Sequence, residues 1–462
     1  MQELEQTPKP MVDQPTSTLQ HASKKKEAVV IPDVEAAVGM SRKWDAREAG
    51  REVAENAIRQ LHEPPSFFVL FSTIHYEKSG GFQELLNGVW DVLPTNTPLI
   101  GGTVRGFSNN YGCYTRGTTG IAVSSSDMDV AIGYGKNTKR NPKKAALKCS
   151  QMIKEGLKNS RYENNFLLNL ISGSEVPDIY MLGRKKILKP GLAPKALMQL
   201  LGFSQKILQK GAARDEEVTD ELIKQLPDFS MLGGATLDNG PGFSSYQFFN
   251  KEVLTNAIVS LGIKTQYNLN VVTTHNMKKT GVDFKITKTS KDKRIIHEIN
   301  DKPALTELLR LLHWPKDMLK EETWFKTTFY FPIGGKYQEK SNSFGPRIIG
   351  IILGESLLMT FKSDDPNASI LTIDGKRLLD AVDINLGSIP HQPEFGLMAS
   401  CTTRLETMGD KIYKERDRIA SFFGERPFIE FFVGGESTYS PQKGLDYVNM
   451  SFNSAIFWKE KN

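Results

Sequence analysis

Apolar positions follow two rhythms along this chain, and their alternation predicts layers of helices on sheets. From Ser41, read as an N-cap, Ala49, Val53, Ala57 and Leu61 recur every fourth residue, which predicts an amphipathic helix ending before Pro64-Pro65. The unbroken run FFVLFST at 67–73 reads as a buried strand, and Phe82, Leu85, Leu86, Val89 and Trp90 predict a second helix after the turn at 78–81. PLIGGTVRGF at 98–107, GIAVSSS at 120–126 and FLLNLIS at 166–172 add strands. Between the last two, a lysine-rich helix over 139–158 keeps Ala145, Ala146, Met152, Ile153 and Leu157 for a buried face, and segment 192–210 is apolar on one side, as core packing requires.

Further on, 246–260 and 268–274 are alternating runs. Phe284 and Ile286 face Ile295 and Ile296 across the polar turn Ser290-Lys291-Asp292, which predicts a hairpin, and a helix starts near Pro303. Strands resume over 329–353 and 368–373, and GKRLLDAVDINL is helix-forming. The apolar runs 395–401 and 428–433 bracket Leu405, Met408, Ile412, Ile419 and Phe423, the face of a buried helix stopped at Gly424. The fold class expected is mixed α+β, with two layered α/β halves whose mixed sheets pack against helices. The division expected is a tail over 1–38, one half over 39–260 and another over 261–462. Gly233-Gly234 follows DFSML as Gly101-Gly102 follows PLI, but no wider internal repeat is visible.

Composition narrows the function. A net charge of +6 over 462 residues, with both signs interspersed, gives little reason to expect nucleic acid. The three cysteines, Cys113, Cys149 and Cys401, form no C-x-x-C pair and suit a reducing cytoplasm. An apolar leader and an 18-residue apolar run are both lacking, so neither secretion nor a membrane span is expected. No phosphate loop, zinc signature or other cofactor motif is present, and no cofactor or metal is expected.

The stretch 395–456 carries the candidate chemistry. If its two apolar runs are neighbouring strands, groups just past their ends line a crevice. Cys401 and Arg404 follow the first run, and Gly434, Gly435 and Glu436 follow the second. A guanidinium suits a carboxylate and Glu436 an ammonium, so a small zwitterion is the ligand these groups fit, with Asn449 orienting either one. Gly101, Gly102, Thr103, Gly233 and Gly234 are expected to face this set from the other half, since pockets form where halves meet. A rival reading makes Cys401 a nucleophile with His391 or His275 as base, although no motif places either histidine. A third is a scaffold that acts through its surface.

Taken in order, LIGGTVRGF at 99–107, LPDFSMLGGATLDN at 226–239, YQFFNKEVLTNAIVSLGI, the hairpin from Phe284, FPIGG at 331–335, FGLMASCTTRLETMG at 395–409, FFVGGES at 431–437 and NMSFN at 449–453 resemble the FIST family, named for F-box and intracellular signal transduction proteins. The resemblance runs from about residue 40 to the end and includes N-terminal and C-terminal FIST regions. It implies an intracellular sensory module for small ligands, amino acids among them. Gly435-Glu436-Ser437 departs from the family's glycine-glutamate-isoleucine turn, and NMSFN from its asparagine-x-threonine. No kinase, cyclase or F-box pattern precedes the first half, so a signalling partner protein in trans is expected.

Overall fold

Three passes through one order of strands and helices build the chain from Val34 to Trp458. The computed structural model describes residues 33–175, 186–188, 211–237, 244–321, 328–336, 344–362 and 364–460; the one-sided apolar segment 192–210 and the tail up to residue 32 lie outside them. The first pass comprises β1 (Val34–Ser41), α1 (Ala46–Ile58), β2 (Phe67–Ser72), α2 (Phe82–Trp90), β3 (Leu99–Thr103), the hairpin β4 (Phe107–Asn109) and β5 (Gly112–Tyr114), and β6 (Thr118–Ser125). The second comprises β7 (Met128–Lys136), α3 (Pro142–Gly156), β8 (Asn164–Ser172), the two-residue β9 (Ile187–Leu188), α4 (Asp215–Gln225), β10 (Ser230–Thr236), the hairpin β11 (Gln247–Phe249) and β12 (Glu252–Leu254), and β13 (Ala257–Thr265).

The third pass begins with β14 (Asn268–Thr274) and is interrupted at once by an insertion. This holds β15 (Lys278–Thr289), β16 (Ile295–Ile299), β17 (Lys302–Pro303), α5 (Ala304–Leu312), β18 (Ile333–Lys336), β19 (Phe344–Arg347), β20 (Ile349–Leu353), β21 (Ser356–Met359) and β22 (Asn367–Thr372). The pass then resumes with α6 (Gly375–Gly387), β23 (Phe395–Cys401), α7 (Thr402–Met408), α8 (Tyr413–Phe423), β24 (Phe428–Ser440), β25 (Gly444–Tyr447) and β26 (Phe452–Trp458).

In every pass the last strand lies between the first and the second, and the third runs parallel to the second: β1-β6-β2-β3, β7-β13-β8-β10 and β14-β26-β23-β24. The registers correspond. Ser72, Ser172 and Ser400 sit opposite Thr103, Thr236 and Phe432 in the three parallel pairs. Each hairpin then adds to the previous pass. β11 pairs with β3, the far end of β24 with β10, and β4 with the start of β24, so the three units close into a ring of strand exchanges. No such repeat is visible in the sequence, and the pairing pattern corrects that expectation.

Packing follows from this topology. Inward faces of all three units share one core in which Phe71 stacks on Phe431 at 4.3 Å and Phe166 meets Phe457 edge-on at 5.2 Å. The outer faces are covered by helices: α1 and α2 on the first unit, α3 and α4 on the second, α6 and α8 on the third. The sheet from β14 to β7 joins strands of the second and third units, and the expected boundary at residue 260 falls inside β13. The insertion forms a third sheet, joined at its edge by β9 of the second pass, around a core of Phe284, Ile296, Leu308, Ile352 and Ile370.

Local signals place most elements. Asp45 caps α1 by accepting the Glu48 amide at 2.9 Å, because Ser41 belongs to β1 and its hydroxyl bonds Glu52. β1 therefore begins at Val34, within the stretch expected as tail. Gly424 ends α8 with φ +58, as expected, but Gly409 at φ +55 splits the single helix expected over 405–423 into α7 and α8.

Candidate functional site

The two strands on which the sequence reading depends are parallel neighbours, with Cys401 opposite Val433. β10 flanks β24 on its other edge, pairing Gly233 with Ser437 and Ala235 with Gly434. Residues from both sides of residue 260 thus meet here, although β24 runs on to Ser440, so Gly434, Gly435 and Glu436 lie within the strand and not past its end as expected. Gly234 permits the approach, since a Cβ on it would lie 2.5 Å from a Val433 methyl. Gly101, Gly102 and Thr103 lie in β3, where Gly102 packs on Thr236 and the Thr103 hydroxyl accepts the Tyr246 amide at 3.0 Å. Leu237, which donates its amide to the Thr103 carbonyl at 3.0 Å, also lies nearest Gly434, and so links β3 to β24.

Two buried polar clusters occupy this junction, separating residues that the sequence reading grouped together. The first is an ion pair. Arg404 is 0 % exposed and grips Glu415 with two nitrogens, at 3.1 and 2.7 Å, while also donating to the Leu378 carbonyl at 2.8 Å. Ser400 donates to the same carboxylate at 2.8 Å. Burial works against the Glu415 charge, but the guanidinium and the hydroxyl outweigh it and hold the group below its ordinary range. Beside it, burial and then the Glu415 charge push the Glu430 carboxyl well above its ordinary value. Arg404 therefore serves as a strut. Its carboxylate partner is Glu415, one helix further on, and not the ligand carboxylate expected from sequence.

The second cluster surrounds Glu436. This side chain is 1 % exposed, and neither carboxyl oxygen has a hydrogen-bond partner of good geometry. Burial pushes its pKa up to about 8, against the pull of the neighbouring Cys401 thiol; the charge of Asp215 adds to the rise. Asp215 opens α4 and accepts the Tyr447 phenol. Gly435 separates them with φ +56, and a Cβ there would stand 2.2 Å from the Asp215 carboxylate. Burial, then the nearby Glu436, also raises the Cys401 thiol, whose sulfur lies 2.9 Å from the Thr403 hydroxyl. A thiol so held is a poor nucleophile. The histidines considered as its base are engaged elsewhere, His391 stacked on Trp458 at 3.5 Å and His275 at 3.1 Å from the Phe344 carbonyl.

Asn449 acts at the edge of this region. Its side-chain oxygen accepts the Ile348 amide at 3.1 Å and the Thr360 hydroxyl at 2.7 Å, which ties the insertion to the third unit. Sequence reasoning missed Glu415, Glu430, Asp215 and Tyr447. No spacing signal pointed to the first of these, since on the unbroken helix expected from sequence Arg404 and Glu415 would lie about 16 Å apart. Among the described residues no group of three or more His, Cys, Asp or Glu side chains is placed to hold a metal, and no helix is long and apolar enough to cross a membrane.

The fold and junction define a mixed α+β protein in which three strand-helix units share one core and bring glycine-rich strand ends to buried acids. The FIST N domain matches residues 66–302, just over half of the chain, and the chain belongs to the FIST family. That family is a sensory one, and a sensory role in signal transduction is the function the match supports. No curated protein matches the chain. Among solved structures, a cyanuric acid hydrolase from A. caulinodans is similar over 93 % of this chain and 100 % of that one, at 7 % identity and a TM-score of 0.34, a likeness too remote to carry an argument.

Proposed function

We propose that this chain is a sensory module that binds a small ligand where the strand ends of β3, β10 and β24 converge, and that it passes occupancy to a signalling partner protein in trans. Glu436 carries this reading. A buried carboxyl with no good donor to either oxygen has forfeited its hydration without replacement, and a ligand ammonium would supply the missing hydrogen bonds. An amino acid or related amine is the ligand class it suits. Because Glu436 is sealed, binding requires the segment from Gly434 to Tyr447 to part from α4, and the hinge capacity of Gly435 is suited to that movement. The three free cysteines fit a cytoplasmic setting.

Mass spectrometry of small molecules released from the native protein, followed by calorimetry with the compound found, tests the proposal. Glu436→Gln is expected to weaken binding at least about tenfold by removing one charge-assisted contact, whereas unchanged heat would refute the assignment. If turnover accompanied binding and vanished in Cys401→Ser, the cysteine-enzyme reading would replace the sensory one.

A further inference from the structure

Three arginines are buried among the described residues, and two of them meet a carboxylate: Arg404 grips Glu415, and Arg294 holds Glu216. The third, Arg347 on β19, is 1 % exposed, and neither its Nε nor its Nη2 has a hydrogen-bond partner. Those two nitrogens form one edge of the guanidinium. Arg47, Arg214, Arg310 and Arg404 each apply that same edge to both oxygens of a carboxylate, at 2.6–3.1 Å. On Arg347 it is vacant. Asp365 favours the charge only from a distance, its Oδ1 accepting the Asn367 amide at 2.9 Å and the Asn367 side-chain nitrogen at 3.1 Å. Burial outweighs that help and lowers the guanidinium to about 10, so the cation persists at pH 7. A charge stripped of water and left without a counter-ion is strongly disfavoured, and its retention calls for an anion from outside the chain.

The surroundings are shaped to this side chain. β19 is the edge strand of the insertion's sheet, and it pairs with β18 so that Arg347 lies opposite Ile333 and Gly345 opposite Gly335. Residues two apart on a strand share a face, so Arg347 and the glycine pair lie on one side of the ladder. A Cβ on Gly335 would stand 2.0 Å from Nη2, and glycine is what admits the guanidinium there. A Cβ on Gly345 would stand 2.0 Å from a Val448 methyl, which turns this same face toward the third unit. Across the seam run single hydrogen bonds: the Asn449 amide to the Pro346 carbonyl at 2.9 Å, the Ile348 amide to Asn449 Oδ1 at 3.1 Å, and His275 Nε2 at 3.1 Å from the Phe344 carbonyl.

We infer that Arg347 anchors a binding site for a small oxyanion, a carboxylate or a phosphate, at the seam between the insertion and the third unit. The ligand enters as the seam parts, and two of its oxygens accept the Nε–H and Nη2–H pair. Once neutralised, the guanidinium no longer opposes closure, so the bound oxyanion holds the insertion against the body. Arg347 belongs to neither of the clusters around Glu415 and Glu436, and the site stands or falls without them.

Thermal unfolding of the full chain tests this, with inorganic phosphate and succinate as separate probes against chloride at fixed ionic strength, which holds screening constant. One probe is expected to raise Tm saturably, as a ligand of the folded state does, and the probe that acts at the lower concentration identifies the oxyanion. Arg347→Met removes the charge and keeps an apolar stem; in chloride it should unfold no lower than the wild type, and it should lose the shift. Arg347→Lys keeps the charge without the fork and is expected to bind the probe at least about tenfold more weakly in calorimetry. Glu436→Gln should retain the shift, which separates failure here from failure of the Glu436 site. No saturable shift with either probe, a full shift in Arg347→Met, or a lower Tm for that variant in chloride would each overturn the inference.

Discussion

Gly435 shows how much a single position can constrain this junction. Its φ of +56 suits glycine, and a Cβ would press into the Asp215 carboxylate. Gly435→Ala is therefore expected to cost about 1–3 kcal/mol in chemical denaturation, and a neutral result would mean the loop is not held as described. The buried acids yield a second prediction. Glu436 has a folded pKa of about 8, above the ordinary 4.5, so between those values the folded chain keeps a proton that the unfolded chain has released, and Glu430 is shifted in the same direction. Such groups lose stability as pH rises, from about 4.5 up to the folded value, which for Glu436 is about 8. Glu436→Gln is expected to flatten the fall in denaturation free energy between pH 5 and pH 8, and an equally steep profile would show that the carboxyl does not titrate there. Glu415 behaves oppositely. Its lowered pKa stabilises the fold above the ordinary value, and Glu415→Gln leaves the Arg404 charge stranded, at a cost of about 3–5 kcal/mol, whereas Glu430→Gln leaves the Arg404–Glu415 pair intact and is expected to cost less.

At the scale of elements, the insertion is bolted to the body through the start of α4. Arg294, at the end of the β15–β16 turn, donates through Nε to Glu216 at 2.7 Å and through Nη1 to the Ala213 carbonyl at 2.6 Å. The Lys362 amide takes the other Glu216 oxygen at 3.1 Å. Because both charges are buried, Arg294→Ala leaves an unpaired carboxylate; about 3–5 kcal/mol of local stability should be lost. Hydrogen exchange is the suitable measurement, with faster exchange expected in α4 and the β15–β16 hairpin and unchanged protection in β2. Uniform protection everywhere would show that the contact is not what joins them. The hairpin and its polar turn were legible in the sequence because alternation and turn chemistry are local; the Arg294–Glu216 contact, 78 residues apart, was not.

The whole molecule consists of three units closed by hairpin exchange, with the insertion carried between β14 and α6. The insertion has a core of its own, so replacing residues 278–372 with a short loop should leave a body that still unfolds cooperatively, with a lower Tm because the Glu216 and Asn449 ties, the β9–β20 pairing and the packing of Ile348 and Phe361 on the body are gone. Loss of a cooperative transition by circular dichroism would refute that independence. The repeat was hidden because equivalence here is one of pairing, not of residues: Thr103, Thr236 and Phe432 occupy one register position, and Gly101-Gly102, Gly233-Gly234 and Gly434-Gly435 do not coincide. A shared core asks each unit for apolar volume on one face, and many residue choices supply it.

By itself the sequence determined what local physics controls. Periodicity, caps and glycines set the helix over 82–90, the start of the helix over 304–312, the stop at Gly424, the buried strands at 67–72 and 395–401 and the start of β24 at Phe428, and the mixed α+β class. It also placed Cys401 and Glu436 on neighbouring parallel strands. Tertiary structure alone decided which charges meet. Arg404 found Glu415 because the break at Gly409 turns α8 back beneath β23, and Glu436 was left without a donor because β10, α4 and β25 close over it. Periodicity tells which face of an element is buried, whereas the partner of a buried charge depends on which distant element covers that face.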